Sequence, residues 1–139
     1  MLRFRIILKH TISIFVAAVL IFSAYGKVVD SEQTKLFLES FGWIPNSLSQ
    51  VIITAIIICE IILALMLTYS KTQRIGAHLS IILFFIFTII LLFQSVSANA
   101  VDCGCFGSFG GGLGIELSIV RNIILMLLLS TIIQYQNNQ

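Results

Sequence analysis

Four apolar runs, at about residues 6–25, 48–69, 75–96 and 113–133, leave few folds open to this chain. Each is close to the roughly 20 residues that a helix needs to cross about 30 Å of hydrocarbon. None shows the period-two alternation of a barrel strand. In lipid, every backbone N–H and C=O has to find a partner within the protein, and a helix supplies those partners within the segment. The runs therefore predict an all-α integral membrane four-helix bundle, built as a single domain over residues 1–139. Composition agrees: 58% of the residues are hydrophobic and 10% charged, against about a quarter charged in soluble chains. So short a chain has too little interior to hide that much apolar surface. A net charge of +2 gives no argument for nucleic acid as a partner. The lipid bilayer is the partner the composition demands.

Orientation follows from the cations. Arg3, Arg5 and Lys9 precede or open the first run, and Lys71 and Arg74 lie in the short link between the second and third. No acidic residue shares that side. The opposite side carries Lys27, Lys35 and Arg121 together with Asp30, Glu32, Glu39, Asp102 and Glu116. The positive-inside rule then places both termini in the cytoplasm. Arg3 to Lys9, followed by an apolar stretch over residues 11–24, also has the form of a signal peptide. Ser23-Ala24-Tyr25-Gly26 makes a poor cleavage site, so an uncleaved first helix is expected.

Between the first two runs, Val28, Val29, Leu36, Phe37, Leu38, Phe41 and Trp43 are interspersed with charges in a pattern that suits a short surface helix. Ser31 and Thr34 offer starts, and Gly42 followed by Pro45 ends it. Phe41 and Trp43 fit the headgroup level. An interfacial helix without a partner is the plainer reading, and a docking surface for a protein outside the membrane is the other.

The chemistry-bearing element is Asp102-Cys103-Gly104-Cys105-Phe106-Gly107, placed on the outer side before the fourth run. A static disulfide is a weak explanation, because closing so small a loop removes little entropy from the unfolded chain. The ring is also tight, and strained disulfides are readily reduced. Thiol–disulfide exchange is the better reading. Metal binding would need ligands beyond two thiolates and Asp102, and His10 and His78 fall near the inner side. A charged Asp102 disfavours the Cys103 thiolate, which Arg121 or Lys27 would offset if the loop folds toward them. Cys59, deep in the second run, reads as a small hydrophobe.

Glu60 is the other sharp signal. A carboxylate inside a span should face the bundle and find a partner. Arg121, about two turns into the fourth run, is the natural one on depth, and Lys27 either joins them or reaches up to the headgroups. Such a cluster is a polar pocket, a proton path or a structural ion pair. Asn122, Thr54, Ser80, Thr88, Gln94 and Ser95 are candidates for hydrogen bonds between helices. Phe84, Phe85, Phe87 and Phe93 read as lipid-facing bulk, with the lining of a quinone site as the alternative.

Taken together, the four runs, Asp102-Cys103-Gly104-Cys105-Phe106-Gly107, Arg121-Asn122 and Glu60 resemble the MauE branch of the DoxX-like membrane proteins. Ser23-Ala24-Tyr25-Gly26-Lys27 and Phe41-Gly42-Trp43-Ile44-Pro45 look like the corresponding family segments, so the resemblance covers nearly the whole chain. It implies a multi-pass protein of the bacterial inner membrane, linked to methylamine metabolism and to redox maturation of periplasmic proteins. The Cys pair then faces the periplasm, a compartment that permits disulfides. Quinone is the cofactor that the wider DoxX-like relation suggests.

These readings converge on a membrane thiol–disulfide redox protein, with a thiol–disulfide oxidoreductase as its enzymatic form. Cys103 and Cys105 carry the exchange with a periplasmic thiol or disulfide protein, and Glu60, Arg121, Lys27 and Asp102 form a polar pocket. The rival is a non-enzymatic assembly factor whose outer loops hold a periplasmic client. A small transporter using Glu60 and Arg121 comes third, since no second half-repeat or broken-helix pair is visible.

Overall fold

The computed structural model describes residues 2–39, 41–42, 44–96 and 115–137, and these described residues form five helices. They are α1 (Leu2–Val29), α2 (Ser31–Glu39), α3 (Asn46–Thr68), α4 (Gln73–Val96) and α5 (Ile115–Asn137). All but α2 are long and apolar enough to cross a membrane. At about 1.5 Å per residue, the 23 residues of α3 extend for about 34 Å, which matches the hydrocarbon thickness. No strand occurs among the described residues.

The long helices pack in a ring, α1 on α3, α3 on α4, α4 on α5 and α5 back on α1, with α2 laid against α3 and α1. Val16, Leu20, Leu63, Leu67, Phe84 and Leu129 meet in the centre. Ile14, Phe15, Ile58, Leu65, Phe85 and Leu127 stay exposed on the outside. Apolar side chains on both faces are what a lipid-facing bundle requires. A second, smaller cluster joins Phe37 of α2 to Leu91 near the end of α4, with Phe41 and Ile119 packed against it. The end of α4 and the start of α5 therefore lie at the end of the bundle that carries α2. Residues 97–114, with Asp102, Cys103 and Cys105, join the two helices there and lie outside the described residues, as does Trp43.

Local chemistry sets the helix ends. The Pro45 carbonyl accepts from Leu48 N–H at 2.9 Å and Ser49 N–H at 3.1 Å, which opens α3. Gly42 adopts φ +73°, a conformation glycine takes without steric cost, and its N–H donates to Glu39 O at 2.9 Å as the chain leaves α2. Between α3 and α4 the turn is tight: Thr72 Oγ1 donates to Met66 O at 3.0 Å, and Gly76 N–H donates to Thr72 O at 2.8 Å. A Cβ on Gly76 would stand 3.0 Å from Met66 Cβ and 3.2 Å from Leu67 N. Alanine there gains about 1 kcal/mol in helix propensity, but crowding a packed contact costs about 1–3 kcal/mol. Backbone and Cβ atoms have little room to yield, so Gly76→Ala should give a net loss of about 1 kcal/mol, read as a lower unfolding midpoint in mixed detergent micelles.

The first span runs further than the apolar pattern suggests. Instead of stopping near residue 25, α1 continues to Val29, because Lys27 turns inward and is only 3% exposed. The surface helix is also not a free one. Phe41 meets Phe37 edge-on at 5.7 Å and stacks on Phe93 of α4 at 6.4 Å, which ties the outer segment to the bundle. Most of the candidate interhelical hydroxyls bond back within their own helix: Thr54 to Gln50 O, Thr88 to Phe84 O and Ser95 to Leu92 O. Ser13, by contrast, crosses between helices, donating to Leu67 O at 2.6 Å.

Candidate functional site

The polar centre is built on one face of α1. Ser23 and Lys27 stand four residues apart and share that face. The Lys27 Nζ donates to Ser23 Oγ at 2.8 Å and to Glu60 Oε1 of α3 at 2.7 Å. Ser23 Oγ closes the triangle by donating to the same Glu60 oxygen at 3.2 Å. Glu60 is 1% exposed, so both members of this ion pair are removed from solvent. The ammonium also lies 5.5 Å from the centroid of the Phe87 ring, within reach of a cation–π attraction.

Arg121 and Asn122, adjacent on α5, form the opposite polar wall. The guanidinium donates from Nε and Nη2 to Asn122 Oδ1, at 3.3 and 3.0 Å. Asn122 is fully buried, and its Nδ2 has no hydrogen-bond partner among the described residues. Neither does Glu60 Oε2.

Glu60 and Asn122 are among the residues around one cavity, in which about 70 Å³ is open to the centre of a water-sized sphere. Its remaining walls are apolar, with Val19 and Leu20 from α1, Phe37 from α2, and Phe84, Phe87 and Leu91 from α4. All five helices contribute. Below the cavity, the central cluster of Val16, Leu63, Leu67 and Leu129 fills the bundle.

The sequence-predicted residues are thus distributed as follows. Lys27, Glu60 and Arg121 share the cavity wall. Glu60 pairs with Lys27, which is drawn into the bundle and not toward the headgroups. Arg121 contributes to the same wall while bonded to Asn122. Asp102, Cys103 and Cys105 lie outside the described residues. Cys59 is exposed on α3, away from the buried pair. The phenylalanine run divides, with Phe84 buried and Phe87 on the cavity, while Phe85 and Phe93 are 56% and 68% exposed. Sequence reasoning did not place Ser23 in the site, although its four-residue spacing from Lys27 and its position in the Ser23-Ala24-Tyr25-Gly26-Lys27 family segment were available signals.

Four membrane-length helices around a buried, mostly apolar cavity with one ionic wall define a multi-pass helical membrane protein. The chain belongs to the MauE family, described as methylamine utilisation protein MauE, whose family model matches residues 5–134. Comparison with curated proteins and with solved structures finds no match.

Proposed function

We propose that this protein is a membrane thiol–disulfide exchange protein acting through Cys103 and Cys105, in the service of methylamine utilisation. The observation that carries the reading is Cys103-Gly104-Cys105, a pair suited to a strained and reducible disulfide. Membership of the MauE family supports the biological setting. The distribution of cations supports termini in the cytoplasm and the Cys pair on the periplasmic side of a bacterial inner membrane. On this reading residues 1–139 act as one domain.

The exchange balances without a further reagent. A client thiolate attacks one sulfur of the Cys103–Cys105 disulfide, forms a mixed disulfide and displaces the other cysteine as a thiolate. The second client thiol, once deprotonated, attacks the mixed disulfide and releases the pair as a dithiol. The client loses two electrons and two protons, which the pair gains. The reverse sequence reduces a client disulfide.

Thiol trapping in intact membranes tests this. A bulky alkylating reagent, applied before and after mild reduction, should reveal a fraction of the pair in the disulfide form, and that fraction should change when client expression changes. Cysteines that remain fully alkylated under every condition would overturn the proposal. The assembly-factor alternative needs an outer surface free to hold a client, and Phe37, its natural anchor, is buried against Leu91. The transporter alternative needs a polar path, and the central apolar cluster interrupts one below Glu60.

A further inference from the structure

We propose that the α3–α4 turn and the first half of α4 form a binding surface for an anionic phospholipid. Its phosphate lies at Lys71 and Arg74, and an acyl chain follows α4. The inference is independent of the thiol chemistry. Charge on this chain is divided between the two ends of the bundle. No Asp or Glu precedes Asp30, lies between Glu60 and Asp102, or follows Glu116. Lys71 and Arg74 fall inside an acid-free stretch, and both are exposed. Toward the opposite end, Lys27 pairs with Glu60 at 2.7 Å and Lys35 with Glu39 at 3.8 Å.

The first helix brings further positive charge to the same end. Ser13 meets Leu67 and Ser23 meets Glu60, so α1 runs antiparallel to α3. Lys9, one turn before Ser13, therefore lies near the level of the α3–α4 turn, and it is partly exposed. Because α1 begins at Leu2, Arg5 and Arg3 occupy its first turns at that end. A cluster of Lys and Arg at one membrane face, without acidic neighbours, attracts anionic headgroups.

Charge alone would suit any polyanion, and the surface beside it selects a lipid. Arg74 and His78 stand one turn apart on α4, both exposed. His78 Nδ1 donates to Arg74 O at 2.8 Å, which holds the ring against the first turn. The same four-residue row continues through Ile82 and Ile86, exposed and apolar, with Ile75 and Leu79 exposed beside it. Arg74 to Ile86 extends about 18 Å along the axis, close to one half of the about 30 Å hydrocarbon core. Tyr69, exposed in the turn, adds an aromatic ring suited to the headgroup level. A soluble anion would match only the charged end of this row. A phospholipid matches both ends at once.

The test is native mass spectrometry of the full chain released from mixed micelles. The micelles contain dioleoyl phosphatidylglycerol and dioleoyl phosphatidylcholine in equal amounts, so the ratio retained on the protein reads the headgroup alone. A preference for phosphatidylglycerol of at least about fivefold is expected, the effect of one basic residue beside an anionic surface. Lys71→Gln with Arg74→Gln should reduce it below about twofold. Lys71→Arg with Arg74→Lys, which keeps both charges, should retain it, and so should Lys35→Gln toward the opposite end. Ile82→Ala with Ile86→Ala should lower retention of both lipids and leave their ratio unchanged. Equal retention of the two lipids by the parent would overturn the proposal. So would a preference that survives loss of both charges or is lost in the charge-keeping variant. Displacement of the lipid by excess inorganic phosphate would assign the turn to a soluble anion and overturn the lipid reading.

Discussion

Replacing Glu60 with leucine should remove most of the folded protein, and adding Lys27→Met to the same chain should restore much of it. Lys27 and Glu60 are 3% and 1% exposed, and their contact at 2.7 Å holds α1 to α3. Taking either ion out of water costs several kcal/mol, which the partner offsets only while it is present. Deleting one member strands the other, at a cost of about 3–5 kcal/mol. That approaches the whole stability of a small domain, about 5–15 kcal/mol. Exchanging both members for apolar side chains of similar volume is often neutral or stabilising, by about 1–4 kcal/mol. Unfolding in mixed detergent micelles measures both arms. Glu60→Leu as stable as the parent would refute a stabilising pair, and a double variant no better than the single would refute the coupling of the two residues.

That pair also shows what could be read from the chain and what could not. The second, third and fourth spans were legible because their only requirement is length and apolarity, and α3, α4 and α5 fall within a few residues of the expected ranges. Which face each helix turns inward was much harder to read. A helix apolar all round gives little rotational signal, so Glu60 could be matched to a partner only by depth. Depth favoured Arg121, which does share the Glu60 wall, and rotation brought Lys27 into direct contact with Glu60. The same ambiguity hid the division of the phenylalanines: Phe84 and Phe85 are neighbours in sequence, yet one is buried and the other exposed. Ser13 and Thr11 are equally unremarkable hydroxyls in one apolar run. Thr11 bonds back to Ile7 O within α1, and Ser13 reaches across to Leu67 O on α3.

The placement of α2 connects the cavity to the rest of the outer end. Thr34, Phe37 and Leu38 supply part of the cavity wall, so this short helix helps close the ionic wall off from the outside. Phe41, stacked on Phe93, fixes it to the last turn of α4, just before the residues that lead to the Cys pair. Movement of α2 would therefore alter the cavity and the packing on the end of α4 together. A free interfacial helix, as the sequence pattern alone suggests, would have no such consequence.

Serine at Cys103 or at Cys105 should lower the rate of thiol–disulfide exchange by about two orders of magnitude or more, because a hydroxyl supplies neither an attacking thiolate nor a sulfur to be attacked. The two variants should also differ in a way that simple loss of activity does not reveal. The variant that keeps the client-facing cysteine retains the sulfur that forms the mixed disulfide but lacks the neighbour that resolves it, so the covalent adduct should accumulate. The other variant should form little adduct. Non-reducing electrophoresis of membranes quenched with acid and an alkylating reagent measures both effects. Cys59→Ser serves as the control, since Cys59 is exposed on α3 and belongs to neither the cavity nor the Cys pair. Should Cys59→Ser remove the adduct while Cys103→Ser and Cys105→Ser leave exchange intact, the chemistry would belong to α3 and the proposed role of the Cys-Gly-Cys pair would fall. Exchange indifferent to all three substitutions would remove thiol chemistry from this protein, and the same membranes would then be used to ask whether a client is held without it.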